Sequence, residues 1–235
     1  MKKILIVVTS HKELLNTDKI SGLWIGEFTD PYYEFIDNGF EITIASPKGG
    51  KPPIDPLSEL TENITASNRR FQDDVAAQTA LNMTIPLCDI NPQDYDALFY
   101  PGGHGPMFDL ATDDTNAKLV LEFYKSRKPI ASVCHGPAAL VKAAEIEASI
   151  LKGREVTGFS NAEERLVFHY DNIPFRLEDR LEELGADYSK ALLPFGKNVE
   201  VDGLIITGQN PLSAKGTADE LIKLLNNSLT KNENI

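Results

Sequence analysis

The sequence predicts a doubly wound α/β fold, in which a mostly parallel β-sheet is sandwiched between helices. Short apolar runs rich in β-branched residues alternate with helical stretches along the chain. Glycine-rich loops follow several of these runs, most clearly at residues 101–105. Because alternating strands and helices build parallel sheets covered on both faces, the 235 residues are expected to form a single domain.

The first part of the chain is predicted to contain three strands. Residues 4–8 are almost continuously apolar, as expected for a strand buried on both faces. A helix follows and ends at Asn38 and Gly39, and residues 40–45 form the second strand. Residues 46–90 are polar and weakly helical without a clean strand, which indicates an insertion, and residues 95–100 return to the sheet.

The second part of the chain repeats this alternation. The predicted elements are a helix at 119–124, a strand at 129–133, a helix at 136–144, a strand at 155–157, two strands within 199–208 and a helix at 211–225. Residues 161–184 form a second insertion that ends in a charged helix closed by Gly185. The insertions at 46–90 and 161–184 are expected to form a small cap over the site. Residues 226–235 are expected to be a polar, frayed tail.

Composition excludes several classes of protein. The net charge of −12 argues against a nucleic-acid or anionic-membrane partner, because phosphate binding needs clustered Lys and Arg. The only cysteines, Cys88 and Cys134, are too few for a disulfide framework and fit a reducing compartment. No run reaches the roughly 20 apolar residues of a membrane span, and residues 4–8 are too short for a secretory signal. We expect a cytoplasmic protein.

Cys134 lies at a predicted strand-to-helix turn. An apolar strand ends at Val133, and Gly136 and Pro137 open the helix that follows, an arrangement similar to a nucleophile elbow. A helix N-terminus stabilises a thiolate, so we expect the pKa of Cys134 to lie below its ordinary value of about 8.5. The alternative is an inert buried thiol. Cys88 follows no such turn and is interpreted as structural.

Several motifs resemble the ThiJ/PfpI superfamily, relatives of the class I glutamine amidotransferases. They are Val-Cys-His-Gly-Pro at 133–137, Tyr-Pro-Gly-Gly-His-Gly at 100–105 and Gly-Glu at 26–27. Three further motifs resemble the branch of heat-shock chaperones and glyoxalase III enzymes: Gly-His-Gly at 103–105 with Phe-Asp at 108–109, Thr-Gly-Phe at 157–159 followed by Glu164, and Thr-Gly-Gln-Asn-Pro at 207–211. The resemblance implies a flavodoxin-like sandwich, a buried acidic partner for the cysteine, and a homodimer.

The resemblance also implies roles for individual residues. Cys134 is similar to the family nucleophile, and Glu27 matches a glutamate whose protonated carboxyl touches the sulfur. His135 matches the family histidine, and Glu164 aligns with the acidic residue that orients it. The alternatives are a helix-start carboxylate for Glu27 and a surface charge for Glu164, with Glu163 as a competing partner for His135.

Three residues of the glycine turn are expected to face the substrate. Gly102 and Gly103 would present backbone N–H groups to a developing oxyanion, and His104 would line the pocket. Their alternatives are a simple turn and a hydrogen-bonded structural histidine. The histidines are widely separated without ligand spacing, and no phosphate-binding or dinucleotide motif occurs. We therefore expect neither a metal nor a cofactor, and interpret His11 and His169 as surface or packing residues.

The activity implied by the resemblance is that of a glutathione-independent glyoxalase. Methylglyoxal would be converted to D-lactate through a hemithioacetal on Cys134, with a stress-response role and a related protein deglycase activity. Covalent capture by the thiol would supply what glutathione supplies elsewhere. Two alternatives stay open: a cysteine peptidase or amidase, and a holdase chaperone that does not need the thiol.

Overall fold

The computed structural model describes the backbone of residues 1–232 and the side chains of residues 1–227. The strands are β1 (Lys3–Val7), β2 (Glu41–Ser46), β3 (Ile85–Pro86), β4 (Ala97–Tyr100), β5 (Ile130–Val133), β6 (Glu155–Val156), β7 (Asp187–Tyr188), β8 (Val199–Asp202) and β9 (Ile205–Gly208). The α-helices are α1 (Ile25–Asp37), α2 (Ala66–Asp73), α3 (Val75–Asn82), α4 (Asp114–Lys125), α5 (Val141–Ile146), α6 (Asn161–Leu166), α7 (Leu177–Glu183) and α8 (Ala214–Asn232).

The central sheet has seven strands in the order β3-β2-β1-β4-β5-β9-β8. All neighbouring strands are parallel except β8 and β9, which form an antiparallel hairpin through Gly203. The strand order reverses between β1 and β4, and this is the point at which doubly wound sheets bind ligands. The predicted α/β, mostly parallel, flavodoxin-like architecture is confirmed.

The core lies on both faces of this sheet. Successive strand residues point to opposite faces, so in β4 Phe99 packs with Phe28 and Phe35 of α1, while Leu98 packs on the opposite face with Val120 of α4. Helix α8 covers the same face as α1, and α5 covers the same face as α4. Burial on both faces explains why the strands read as continuous apolar runs.

Three predicted boundaries are wrong. The segment at 46–90 does return to the sheet, because Ile85–Pro86 pairs with the end of β2. The single helix predicted at 136–144 is a 3₁₀ turn, Gly136–Leu140, followed by α5. Helix α8 continues past residue 225 to Asn232, so most of the predicted polar tail is helical, and residues 233–235 lie outside the described part.

The two insertions contact the elements that carry the candidate site. Residues 46–90 pair with the approach to α1 at Leu23 and Ile54, and Asn68 accepts a hydrogen bond from Thr29 of α1. Residues 161–184 contribute α6 and α7, and the side chain of Leu177 lies beside Gly158 in the loop after β6. Within the described residues, no helix combines the length and apolar character needed to cross a bilayer.

Candidate active site

Cys134 occupies the sharp turn between β5 and the following 3₁₀ helix. Its φ of +61° lies in the left-handed region, which costs a non-glycine residue on the order of 1 kcal/mol. The backbone is held by hydrogen bonds of 2.9 Å from Cys134 N–H to Gly208 O and from Phe159 N–H to Cys134 O. A Cβ at Gly136 would lie 2.3 Å from Tyr100 O, so strand and turn cross at a distance that only glycine allows. These constraints place Cys134 as the sequence predicted.

His135 connects the sulfur to Glu164. Its Nδ1 lies 3.4 Å from Cys134 Sγ, and its Nε2 lies 2.7 Å from Glu164 Oε2. Burial acts to raise the pKa of Glu164, but the imidazoles of His135 and His104 outweigh it and hold that pKa below its usual range. Because an ionised carboxylate only accepts, His135 donates to Glu164 from Nε2. In the neutral ring this leaves the lone pair of Nδ1 facing the sulfur.

Glu27 is fully buried on the first turn of α1, beside the thiol. Its Oε2 accepts a hydrogen bond of 2.8 Å from Gly102 N–H, and its Oε1 is buried with no conventional partner. Burial raises the pKa of Glu27 to about 8, against smaller lowering contributions from hydrogen bonds to Cys134 and Gly102. The carboxyl is therefore protonated at neutral pH. Since Oε2 accepts from Gly102, Oε1 is the oxygen that is free to carry the proton.

The expected lowering of the Cys134 pKa is wrong. Burial and the proximity of Glu27 raise the pKa of this thiol well above its ordinary value, and a hydrogen bond from Gly103 N–H only partly opposes them. The side chain is 4% exposed, so desolvation of the thiolate outweighs the positive end of a short 3₁₀ turn. The resting thiol is neutral, and its proton must be removed by a neighbouring base when it reacts.

The glycine turn after β4 contributes differently from the prediction. The N–H of Gly102 is bound by Glu27, so it is not free for an oxyanion as predicted. The N–H of Gly103 reaches the sulfur of Cys134 and remains the nearer candidate donor. Gly103 has a φ of +86°, and a Cβ there would lie 2.1 Å from Gly22 O, so the turn requires glycine.

His104 contacts the same carboxylate as His135 from the other side. Its Nε2 lies 2.8 Å from Glu164 Oε1, and the two imidazole centroids are 4.3 Å apart. Burial, together with His135, lowers the pKa of His104. His104 was predicted to line the pocket, but its described partners are Glu164 and Ser21. Glu164 is thus held by two imidazoles, one on each oxygen.

Glu163 has a separate, structural set of contacts. Its Oε2 accepts from Ser160 in a capping box at the start of α6. Its Oε1 accepts from Phe195 N–H and from the side-chain amides of Gln209 and Asn210. The sequence left Glu163 and Glu164 as competing partners for His135, and the geometry places Glu164 there.

The remaining histidines stay outside the contacts to sulfur. His169 is buried and its ring lies edge-on to His104, at a centroid distance of 5.1 Å. His11 stacks on Phe108 at 4.4 Å. The expectation that both are packing or surface residues agrees with these positions.

One group of residues has the composition of a metal site. His104, His135 and Glu164 each offer a ligand atom, and these atoms lie within 4.8 Å of one another. The sequence argument that the histidines are too far apart was therefore wrong for His104 and His135. In this structure the three side chains instead hydrogen-bond one another. The expectation of no metal or other cofactor stays a prediction.

Comparisons with known proteins identify a family and named relatives. The model of the DJ-1/PfpI family matches residues 25–224. Glyoxalase 3 of Candida albicans is 29% identical over 231 residues, covering 94% of this chain and 98% of that protein. The glutathione-independent glyoxalase hsp3101 of Schizosaccharomyces pombe is 30% identical over 233 residues, covering 94% and 95%.

Two solved structures superpose closely on this chain. The Rapid Encystment Protein 24 KDa of Francisella tularensis superposes with a TM-score of 0.89 at 40% identity, covering 95% of this chain and 98% of that one. Glyoxalase III from Candida albicans superposes with a TM-score of 0.85 at 28% identity, covering 94% and 96%. With the family model matched over residues 25–224, this chain belongs to the DJ-1/PfpI family.

Proposed function

We propose that this protein is a glutathione-independent glyoxalase that converts methylglyoxal to D-lactate. The observation that carries the proposal is the environment of one buried thiol. Cys134 has the Nδ1 lone pair of His135 on one side and the protonated carboxyl of Glu27 nearby. The names of the Candida albicans and Schizosaccharomyces pombe relatives support the same activity.

The first chemical step uses both neighbours of the sulfur. His135 Nδ1 accepts the thiol proton as Sγ attacks the aldehyde carbon, and the imidazolium is stabilised by the Glu164 carboxylate. The imidazolium then gives this proton to the aldehyde oxygen, which becomes the hydroxyl of a hemithioacetal, and His135 is neutral again. Gly103 N–H and the Glu27 O–H are the nearest donors for the charge that develops on this oxygen.

The second step moves a proton between neighbouring carbons. A base removes the proton from the former aldehyde carbon to give an enediolate, and the same proton equivalent is returned to the adjacent carbon. The hydroxyl proton moves from the first oxygen to the second, so that the first becomes the thioester carbonyl and the second the lactate hydroxyl. The product is a lactate thioester of Cys134, which water hydrolyses to D-lactate and the free thiol. His135 and Glu27 are the two candidates for this base. The raised pKa of Glu27 favours His135, because a protonated carboxyl cannot accept.

The burial of the thiol supports a small substrate. Only 4% of Cys134 is exposed, and the extended backbone of a peptide substrate needs an open cleft at the nucleophile. A small α-oxoaldehyde requires much less space, and this favours the glyoxalase over the peptidase alternative. We further propose that the insertions at 46–90 and 161–184 form a small cap over this site, as the sequence pattern predicts.

The holdase alternative has one observation in its favour. Several large apolar side chains of the described residues are strongly exposed, among them Phe168 at 82%, Leu192 at 98% and Leu193 at 70%. Such surface is what a holdase offers to unfolded clients, although it equally suits the homodimer that the resemblance implies. Both the homodimer and the cytoplasmic location stay predictions, and sedimentation of the purified chain tests the first.

Three assays on three proteins separate these functions. Loss of methylglyoxal without added thiol, cleavage of casein and suppression of aggregation are measured for wild type and Cys134→Ala, with Cys88→Ala as the matched control. We expect D-lactate from wild type and Cys88→Ala only. Full turnover by Cys134→Ala would exclude the mechanism, whereas aggregation suppression that survives the substitution, without any turnover, would favour the holdase.

A further inference from the structure

The chain of contacts that begins at the sulfur continues past His104. Ser21 O–H donates to Asp55 Oδ2 at 2.7 Å, and Ser21 Oγ also lies 3.4 Å from the second ring nitrogen of His104, Nδ1. Because the hydroxyl proton goes to Asp55, Ser21 Oγ accepts from Nδ1–H when the His104 ring is protonated on both nitrogens, the form that the nearby Asp55 favours electrostatically. All three side chains are buried, with 8%, 2% and 3% of their surface exposed. Contacts therefore run from Cys134 through two imidazoles to a carboxylate of the inserted segment at 46–90.

Ser21 and Asp55 are held by their backbones as well as by each other. Ser21 N–H donates to Lys12 O at 2.8 Å, and Asp55 N–H donates to Leu23 O at 2.9 Å. Asp55 Oδ1 also accepts from Leu57 N–H at 2.9 Å, as the cap of a 3₁₀ turn. Because these contacts hold both residues independently of His104, Ser21 and Asp55 can define the orientation of its ring.

The orientation of His104 matters because it decides which way the Glu164 carboxylate faces. A carboxylate rotates freely about its terminal bond unless both oxygens are bound. His104 binds Oε1 at 2.8 Å, and this leaves Oε2 directed at His135 Nε2 at 2.7 Å. That second contact keeps the proton of His135 on Nε2 and its lone pair on the sulfur side. A loose His104 would release this constraint.

We propose that Ser21 and Asp55 are positioning residues for the thiol chemistry, acting through His104 and Glu164 on His135. They would make the reactivity of Cys134 depend on a carboxylate in the insertion, at the far end of the hydrogen-bonded chain. The kinetic part of this inference rests on the proposed glyoxalase function; its chemical and spectroscopic parts do not.

The test compares Ser21→Ala and Asp55→Asn with Ser46→Ala as a matched control. Ser46 is also a fully buried serine that hydrogen-bonds another side chain, Thr84, at 2.7 Å, but it has no contact with the His104 chain. All variants are made with Cys88→Ser, so that alkylation by iodoacetamide reports one thiol. Removing a hydrogen bond to a charged or positioning group is expected to slow alkylation about tenfold. Ser46→Ala is expected to stay within about twofold of its parent.

Nitrogen NMR of the four histidines gives a signature that a general loss of stability would not produce. We expect the parent to show His135 protonated on Nε2 only, and both test variants to show a mixture of tautomers with shifted His104 signals. Unchanged His135 signals, or alkylation of Ser21→Ala as fast as that of Ser46→Ala, would overturn the proposal. Ser21→Thr keeps the hydroxyl and is expected to restore the parental tautomer; failure to do so counts against the role of the hydroxyl.

With methylglyoxal as substrate, Ser21→Ala and Asp55→Asn are expected to lose about tenfold in kcat while KM stays within about twofold of the parent. The reason is that Ser21 and Asp55 act on the base rather than on substrate binding. Absence of turnover in the parent would reject the proposed function and leave alkylation and NMR to decide on Ser21 and Asp55. Normal kcat in both variants of an active parent would reject the positioning role alone.

Discussion

Glu27→Gln should make the free energy of unfolding less dependent on pH. Burial raises the pKa of this carboxyl from its ordinary 4.5 to about 8, so between these values the folded chain binds a proton that the unfolded chain has released. The stabilisation from that proton is complete below pH 4.5 and is lost as the pH rises to about 8. Glutamine keeps the shape and can still accept from Gly102 N–H, but it does not titrate.

The size of the effect follows from the interval between the two pKa values. One pKa unit corresponds to about 1.4 kcal/mol. The interval from 4.5 to about 8 therefore corresponds to a change in the free energy of unfolding on the order of 5 kcal/mol. About 3 kcal/mol of this falls between pH 5 and pH 8, where the Cys134 thiol stays protonated because its pKa is raised.

Urea unfolding of wild type and Glu27→Gln at these two pH values measures the difference directly. We expect the wild-type free energy of unfolding to fall by about 3 kcal/mol relative to the variant as the pH rises from 5 to 8. Other titrating groups cancel in this comparison, and Glu122→Gln, an exposed carboxyl on α4, serves as the control. A difference between wild type and Glu27→Gln that stays constant within about 1 kcal/mol would refute the assignment of a buried, protonated Glu27.

Three further predictions concern the elbow and its base. Glu164→Gln should reduce methylglyoxal turnover about 100-fold, because an amide cannot accept from two imidazoles and the proton of His135 loses its fixed position; activity within fivefold of wild type would contradict this. Gly136→Ala should lower the free energy of unfolding by more than about 2 kcal/mol, as its Cβ would lie 2.3 Å from Tyr100 O, and an unchanged Tm would contradict the close crossing. Cys88→Ser should leave turnover unchanged, since that thiol is exposed and distant in the sequence from the elbow; a loss comparable to that of Cys134→Ala would contradict the assignment of one nucleophile.

The elements that position the nucleophile could be predicted because their signals are local. A strand buried on both faces is a continuous apolar run, and the crossing at Gly136 needs a small residue whatever the rest of the chain does. The helix boundary after Cys134 was less predictable, because a 3₁₀ turn and the start of an α-helix tolerate the same residues.

The partners of the histidines could not be predicted because they depend on tertiary contacts. His104 meets Glu164 across 60 residues of sequence, and Ser21 meets Asp55 across 34. No periodicity or spacing indicates either pair. The motif resemblance supplied Glu164, but it supplied neither Ser21 nor Asp55, which are an ordinary serine and aspartate in loops.

The direction of the Cys134 pKa shift was predicted incorrectly for a similar reason. The sequence shows the positive end of a helix, which lowers a thiol pKa, but not the depth at which the sulfur lies. Burial and the proximity of Glu27 raise the pKa of Cys134 instead. The same burial keeps Glu27 protonated, so the proposed mechanism uses a base and an acid beside a neutral thiol rather than a preformed thiolate.

The proposed glyoxalase chemistry requires a covalent bond between Cys134 Sγ and the substrate during turnover. Rapid acid quenching of wild type with methylglyoxal, followed by peptide mass spectrometry, detects this bond. We expect the peptide containing Cys134, and not the one containing Cys88, to become heavier by one methylglyoxal, and Cys134→Ser to form neither adduct nor D-lactate. Steady D-lactate production by Cys134→Ser would show that the sulfur is not the nucleophile.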